Sequence, residues 1–316
     1  MRRARAARRD AHRQAAHPGA RLDRDSAGEG RRTVIPTAFE YVRAKNLNHA
    51  LKAMGKHAKV IAGGHSLLPL LKFRLAQPEL LIDIGSLPQL KGIAAAGAGM
   101  RIGATTTYRE LLDSKPLRAK YPLIAEVTEH IGDLQVRNAG TIGGGLAHAD
   151  PAADMPPVML VLDATFVLQS KGGKRSVPAR KFFKGPFTTV LKPGELLVEI
   201  RLPGPPKGAG MAYASFEQAA SGYALAGAAA LVAVAKGVIA RAELAFTGVA
   251  ETPFLAPATK PLIGTKGDPD AIGRVAEAAM AGVEANDDIH AGREYRLHLA
   301  RVAARRALTE ALARAT

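Results

Sequence analysis

An α+β fold in two parts is what this 316-residue sequence predicts, and three observations lead to it. The chain is longer than one compact core usually supports, so two domains are the first expectation. Short runs of branched residues alternate irregularly with segments of helical period, as in a mixed architecture of strands with helices between them. Between Leu202 and Gly210, Pro and Gly make up most of the residues, which marks a linker with a boundary near Pro203–Gly210.

Leu47, Ala50, Leu51 and Met54 recur at i, i+3, i+4 and i+7, a short helix closed by Gly55. Lys59–Ala62 reads as a strand running into glycine, and a helix resumes at Ser66. Leu80–Ile84 is a second buried strand. Gly92–Ala104 reads as a hairpin turning at Gly97–Gly99, followed by a capping box from Thr107 to Glu110 and its helix. Pro122–Gly132 is helical, and the branched residues of Val158–Ser170 and Glu195–Pro203 predict strands. After the linker, Tyr223–Ala235 and Val238–Ala250 form a hairpin around Lys236–Gly237. Two helices, about 269–284 and 293–313, close the chain, which has no internal repeat.

Cysteine is absent, which excludes disulfides, thiolate zinc sites, a cysteine nucleophile and any iron–sulfur cluster on the chain's own thiolates. The longest uncharged run, Gln218–Ala235, is diluted by Gln, Ser, Gly and Ala and falls short of a span of about 20 apolar residues. Arg2–Arg3 and Arg8–Arg9 are followed by no apolar segment, so an export signal is rejected. The formal charge of +16 raises a nucleic-acid reading, yet residues 1–32, with ten Arg, no Lys and four acids, hold +6 of it. The rest is spread along the chain, aromatics are 5% and Trp is absent, so the stacking surfaces of such a binder are missing. The composition marks residues 1–33 as a disordered basic tail. Gly28–Val34 must be encoded by a tract resembling a ribosome-binding sequence ahead of a Val codon. A native start at Val34 is therefore an expectation, which the intact mass from the source organism decides.

Two stretches concentrate glycine: Val60–Leu71, with Gly63 and Gly64, and Gly140–Gly145, with four glycines in six positions. Glycine reaches positive φ and lets a ligand approach main-chain N–H groups closely. Successive N–H groups form an anion nest, and a following helix N-terminus adds partial positive charge. Ala62–Ser66 and Thr141–Gly145 both fit that design, and two nests in one domain suit a pyrophosphate. Each alone could also be a tight turn. Neither is a G-x-G-x-x-G with an acid about 20 residues on, nor a G-x-x-x-x-G-K-[ST], which disfavours a Rossmann site and a triphosphate loop.

These residues carry a family resemblance. VIAGGHSLLPLLKFRLAQPELLIDI from Val60, RNAGTIGGGLAHADPAADMPPVMLVL from Arg137 and EYRLHLARVAARRAL from Glu294 together resemble the FAD-binding medium subunit of molybdenum hydroxylases, the carbon monoxide and xanthine dehydrogenase family. The resemblance runs from about Ile35 to the C-terminus. It implies an FAD-binding domain of the vanillyl-alcohol-oxidase type over 34–205 and a smaller C-terminal α+β domain over 210–316. It implies a dimer of heterotrimers, with the molybdenum cofactor in a large subunit and two [2Fe–2S] clusters in a small one. The medium subunit then passes electrons through non-covalent FAD to quinone, NAD or oxygen. A chain without cysteine must take its electrons from a neighbour that ligates the clusters. The resemblance also implies a cytoplasmic enzyme, able to associate with the inner face of the membrane, with no nucleic-acid partner.

Position by position, the family's AGGHS motif falls on Ala62, Gly63, Gly64, His65 and Ser66, whose backbone would hold the diphosphate; Val60, Ile61 and Leu67 flank it. The second motif falls on Thr141, Ile142, Gly143, Gly144 and Gly145. Asp154 matches an FAD-contacting Asp, Leu197 an apolar flavin contact, and Ile131 more loosely another. The resemblance assigns no catalytic residue and no metal ligand to this chain. Gly145 stands where relatives carry Asn or Ser, which removes one side-chain hydrogen bond. Ala219 and Gly222 interrupt the family's R-x-G-D-[YF]-A, and Glu217 stands where some relatives have a flavin-contacting Lys, so a positive group near the flavin is lost or comes from another donor.

His65 has three readings: a side chain beside the phosphates, a covalent histidyl-flavin link that this subgroup does not use, or a residue whose backbone alone matters. His130, His148 and His298 lack metal spacing and read as surface or packing residues. Asp150 with Asp154 reads as a helix N-cap plus a cofactor contact rather than an acid–base pair. Arg296, Arg301, Arg305 and Arg306 form a basic stripe, either solvated or a docking face. A self-sufficient flavoenzyme of the same fold class would need catalytic Ser or Glu residues, which the sequence does not display.

Overall fold

The computed structural model describes residues 35–316; the basic tail and the expected start at Val34 lie outside the described residues. The chain opens with β1 (Glu40–Arg43), α1 (Leu47–Ala53), β2 (Ala58–Ile61), α2 (Leu67–Lys72) and β3 (Leu80–Asp83). The three strands pair in parallel in the order β1-β3-β2, with the helices as crossovers. Asn46 caps α1 by accepting from the His49 N–H.

The middle of the chain comprises β4 (Ile93–Ala96), β5 (Gly99–Gly103), α3 (Tyr108–Asp113), α4 (Lys115–Lys120), α5 (Pro122–His130), α6 (Leu134–Ala139), α7 (Ile142–His148) and α8 (Met155–Val161). It continues through β6 (Thr165–Ser170), β7 (Gly173–Pro178), β8 (Phe183–Gly185), β9 (Thr188–Thr189) and β10 (Leu196–Leu202). Five of these strands form one antiparallel sheet in the order β4-β5-β10-β6-β7. The capping box at Thr107 and Glu110 is complete in both directions.

One strand expectation fails here. Val158–Val161 lies in α8, and the strand begins only at Thr165. All seven residues of α8 are buried, so its apolar run carries no period by which a helix could be told from a strand. Pro156 and Pro157 in its first turn are the helix-start signal that outweighs the branched residues.

The final part holds β11 (Ala209–Glu217), β12 (Ala224–Ala235), β13 (Val238–Thr247), β14 (Phe254–Leu255), α9 (Pro269–Ala278) and α10 (Arg293–Arg314). Its strands form an antiparallel sheet in chain order. Lys236 and Gly237 both take positive φ, the tight turn that the twist of such a hairpin favours. Both faces of this sheet are buried: Ala228, Ala230 and Val232 face α9 and α10, while Ala229 and Leu231 join the core under the five-stranded sheet. Two buried faces explain why β12 reads as Ala and Val without a polar side, since small residues let a layer close on each. Met211 and Tyr213 of β11 enter that first core too, so the two parts of the chain pack as one body there. No helix among the described residues is long and apolar enough to cross a membrane.

Candidate functional site

β2 ends at Ile61 and the chain turns through Ala62–Ser66 into α2. Gly64 takes a φ of +79°, open to glycine at no steric cost. Among the described residues, the N–H groups of Gly63, Gly64, His65, Ser66 and Leu67 donate no hydrogen bond. The Ser66 hydroxyl does not cap α2 either. Five successive free donors on one turn form a concavity suited to an anion with several oxygens. His65 is exposed, while Val60, Ile61, Ala62 and Leu67 are half-buried.

The second glycine stretch meets the first directly. A Cβ on Gly63 would collide with the Ala139 carbonyl oxygen and lie 2.8 Å from the Gly140 Cα. The expected second nest, however, is not open. The N–H groups of Ile142 and Gly143 donate to the Thr106 and Ala104 carbonyls at 3.0 and 2.9 Å. Those of Gly144 and Gly145 donate to the Thr141 hydroxyl at 3.1 Å and its carbonyl at 3.0 Å. Thr141 caps α7, and the donors a nest would aim outward are spent on starting that helix and joining it to residues 104–106. The glycines here allow close packing instead. A Cβ on Gly143 would lie 2.6 Å from the Ala104 carbonyl oxygen, and one on Gly145 would strike the Tyr108 hydroxyl. Gly144 alone is exposed.

Behind this wall lies a carboxylate cluster. β11 sends Tyr213, Ser215 and Glu217 to one face by its period of two. The Tyr213 hydroxyl donates to Asp154 Oδ1 at 2.6 Å, and Gly227 on β12 leaves room for that hydroxyl, since a Cβ there would strike it. Asp154 stands at the N-cap position of α8, but its carboxylate makes no capping bond; it is turned to Tyr213 instead, which corrects the capping expectation. The loop before it is pinned by the Thr247 hydroxyl, whose one proton goes to the Ala153 carbonyl at 2.7 Å with the Pro151 carbonyl 3.0 Å away. Burial pushes the Asp154 carboxyl up to about 6, with the Tyr213 hydrogen bond opposing and Glu217 adding. Glu217, aligned with a lysine of some relatives, lies 2.9 Å from His130 Nδ1, and the His130 ring stands edge-on to Tyr213. The side chain paired with Glu217 here is thus a histidine from α5.

The raised value of Asp154 has a stability consequence with a definite sign. Its folded value lies above the free carboxylate's 3.8, so between these limits the folded state binds more protons than the unfolded state. Stability is expected to fall as pH rises from 4 to 7, by up to about 3 kcal/mol. Denaturant titrations across that range should show the fall, and Asp154→Asn should abolish it.

The remaining sequence-predicted residues divide. Leu197 is buried in β10 as part of the main core, and Ile131 packs against that core from the end of α5. Asp150 binds the Ala152 N–H in a local turn rather than pairing with Asp154. His148 packs on Phe187, and burial lowers its pKa. The basic stripe is not uniform. Arg296 is buried and fully hydrogen-bonded, Arg301 and Arg305 pair with Glu277, and Arg306 lies over the Phe216 ring. Sequence reasoning missed Tyr108 and Tyr213. The signal for each was a glycine, Gly145 and Gly227, vacating the volume its hydroxyl fills.

Comparison with known proteins gives the family and the fold. Residues 37–205 match the family described as the FAD binding domain in molybdopterin dehydrogenase, and residues 211–311 the CO dehydrogenase flavoprotein C-terminal domain. The chain is 39% identical over 285 residues to the carbon monoxide dehydrogenase medium chain of Hydrogenophaga pseudoflava, covering 89% of this chain and 99% of that one. It is 38% identical to the 6-hydroxypseudooxynicotine dehydrogenase complex subunit alpha of Paenarthrobacter nicotinovorans, over 89% and 96% of the two. A solved structure of carbon monoxide dehydrogenase from Hydrogenophaga pseudoflava matches with a TM-score of 0.86 and 40% identity, over 89% of this chain and all of that one. With an α+β FAD-binding domain and its C-terminal companion matched in order, this chain belongs to the FAD-binding subunits of the molybdopterin dehydrogenases, a family of oxidoreductases.

Proposed function

We propose that this chain is the electron-transferring medium subunit of a heterotrimeric molybdenum hydroxylase, holding FAD non-covalently in residues 34–205 with residues 210–316 as its second domain. The observation that carries the reading is the turn of five free N–H donors at Gly63–Leu67, which fits the oxygens of a diphosphate. Ala62–Ser66 grip the diphosphate, with Val60, Ile61 and Leu67 beside them. Thr141–Gly145 contribute a closely approachable wall, and Asp154 and Leu197 lie toward the flavin end. When bound, the flavin supplies one- and two-electron chemistry that no side chain here offers.

Without cysteine, the chain receives electrons from clusters in a small subunit, and substrate oxidation belongs to a large molybdenum subunit. Two such trimers pair in the cytoplasm, at the inner face of the membrane where the acceptor is a quinone. The relatives named above act on carbon monoxide and on 6-hydroxypseudooxynicotine while sharing this subunit's architecture, so the choice of substrate is assigned to the large subunit.

The visible absorption spectrum of the chain, alone and co-purified with its partners, tests the reading. A flavin spectrum with FAD released by acid is expected, joined by iron–sulfur bands in the assembly; an assembly without flavin overturns it. Gly144 is exposed, and a Cβ there would lie 2.7 Å from the Thr141 hydroxyl that caps α7, so that cap must shift. Gly144→Val is therefore expected to fold with a modestly lowered melting temperature and to lose at least about tenfold in FAD affinity, a loss of about 1.4 kcal/mol.

A further inference from the structure

We propose that the Tyr108 hydroxyl is a hydrogen-bond donor to the bound FAD, held in place by the absence of side chains at Gly140 and Gly145. The inference rests on the FAD-binding reading above and names a contact that neither glycine motif contains.

Tyr108 opens α3 directly after the Thr107 cap. Its own N–H donates to the Gly140 carbonyl at 3.0 Å, and Thr107 bridges to Thr141, so the start of α3 is laced to the second glycine stretch. The ring is clamped at two points. A Cβ on Gly140 would lie 3.2 Å from the ring edge, and one on Gly145 would strike the hydroxyl oxygen. Gly140 is also the residue on which Gly63 rests. The phenol therefore stands on the same wall as the turn of free N–H groups, one glycine away.

Tyr108 is 7% exposed, and among the described residues its hydroxyl makes no hydrogen bond. The ring is enclosed, but the hydroxyl oxygen keeps a solvent-facing tip, so an acceptor entering the site can reach it without opening the core. Tyr213 and Tyr121, the comparably buried tyrosines, donate to Asp154 and to the Pro203 carbonyl. Burial first, and then the charges of Asp154 and Tyr223, raise the pKa of Tyr108. The phenol thus stays protonated and presents a donor, which the oxygens and ring nitrogens of FAD can accept. Gly145 makes the arrangement possible: any side chain there would expel the hydroxyl from its position.

The test is a double-mutant cycle on the full chain, purified with whatever subunits accompany it, using FAD itself as the probe. Tyr108→Phe is expected to raise the FAD dissociation constant about tenfold and to shift the bound flavin's absorption. The melting temperature of the flavin-free protein should stay level, because the hydroxyl tip faces solvent there and supports no contact of the fold. Gly145→Asn alone should lose binding through its collision with the hydroxyl. In the Tyr108→Phe background the nearest ring carbon is 3.6 Å from the new Cβ, an ordinary contact. There the asparagine amide replaces the lost donor, and affinity should return toward that of the unaltered chain.

A Tyr108→Phe variant that binds FAD within twofold of the unaltered chain overturns the proposal. So does one that loses only flavin-free stability, the signature of a packing role. An unaltered chain that binds no FAD would instead overturn the reading on which it rests.

Discussion

Gly63→Ala should fold with unchanged secondary structure and bind FAD ten- to a hundredfold more weakly. The added methyl meets the carbonyl oxygen of Ala139 and, at 2.8 Å, that residue's carbonyl carbon and the Cα of Gly140. All three are backbone atoms, so no rotamer change relieves the collision. One side must move. β2 is fixed by its parallel pairing to β3, whereas α6 is six residues long and buries none of them. Displacement therefore falls on the junction of α6 and Gly140, where the two glycine stretches touch and where Tyr108 is anchored. Overpacking of this kind costs about 1–3 kcal/mol, and when it is spent on the binding surface it appears as the stated change in affinity. Fluorescence titration of FAD into the flavin-free protein measures it, with circular dichroism as the control. Unchanged affinity would show that the contact between the two stretches does not shape the site.

Arg296→Met should cost about 3 kcal/mol of unfolding free energy, the larger of the two effects on the flavin-free protein. Arg296 donates to both Asp288 oxygens at 2.7 Å, to the Leu225 and Gly248 carbonyls at 2.8 Å, and to the Ala291 carbonyl at 3.3 Å. Asp288 is partly solvated and can recover water, so most of the loss comes from the carbonyls left unpaired beside β12 and β13. Lysine should not rescue, since a single ammonium cannot reproduce the planar fork. Urea unfolding of Arg296→Met, Arg296→Lys and Asp288→Asn gives the order, with the aspartate variant mildest. A lysine variant of unaltered stability would refute the account. Loss of FAD should accompany the methionine change, because Gly248 also binds the Pro151 carbonyl, in the loop that presents Asp154.

Local signals were legible in the sequence where one residue type dictates one conformation. The Thr107–Glu110 capping box, the Lys236–Gly237 turn and the free turn at Gly63–Ser66 all rest on backbone rules that need no tertiary knowledge. Long-range consequences were not legible. The second glycine stretch resembles the first in composition, yet Thr141 and the carbonyls of Ala104 and Thr106 consume its donors, and only the fold brings residues 104–106 to it. Arg296 was indistinguishable from its neighbours on a basic stripe until α10 packed it against β12 and β13. α8 failed because a wholly buried helix has no polar face to reveal its period. The histidine that meets Glu217 arrives from 87 residues away, a pairing no local pattern could announce.

The shared core beneath β11 changes what it would mean to divide this molecule. Asp154 is turned toward Tyr213, Glu126 of α5 accepts from the Tyr213 N–H, and Arg314 near the last residue reaches back to the same Glu126. Cutting the chain between Leu202 and Ala209 would leave a first fragment containing every glycine of both motifs, yet with its floor removed. Such a fragment is not a smaller flavoprotein but an unfinished one. A complete site in the first part therefore waits on β11 and α10 packing beneath it.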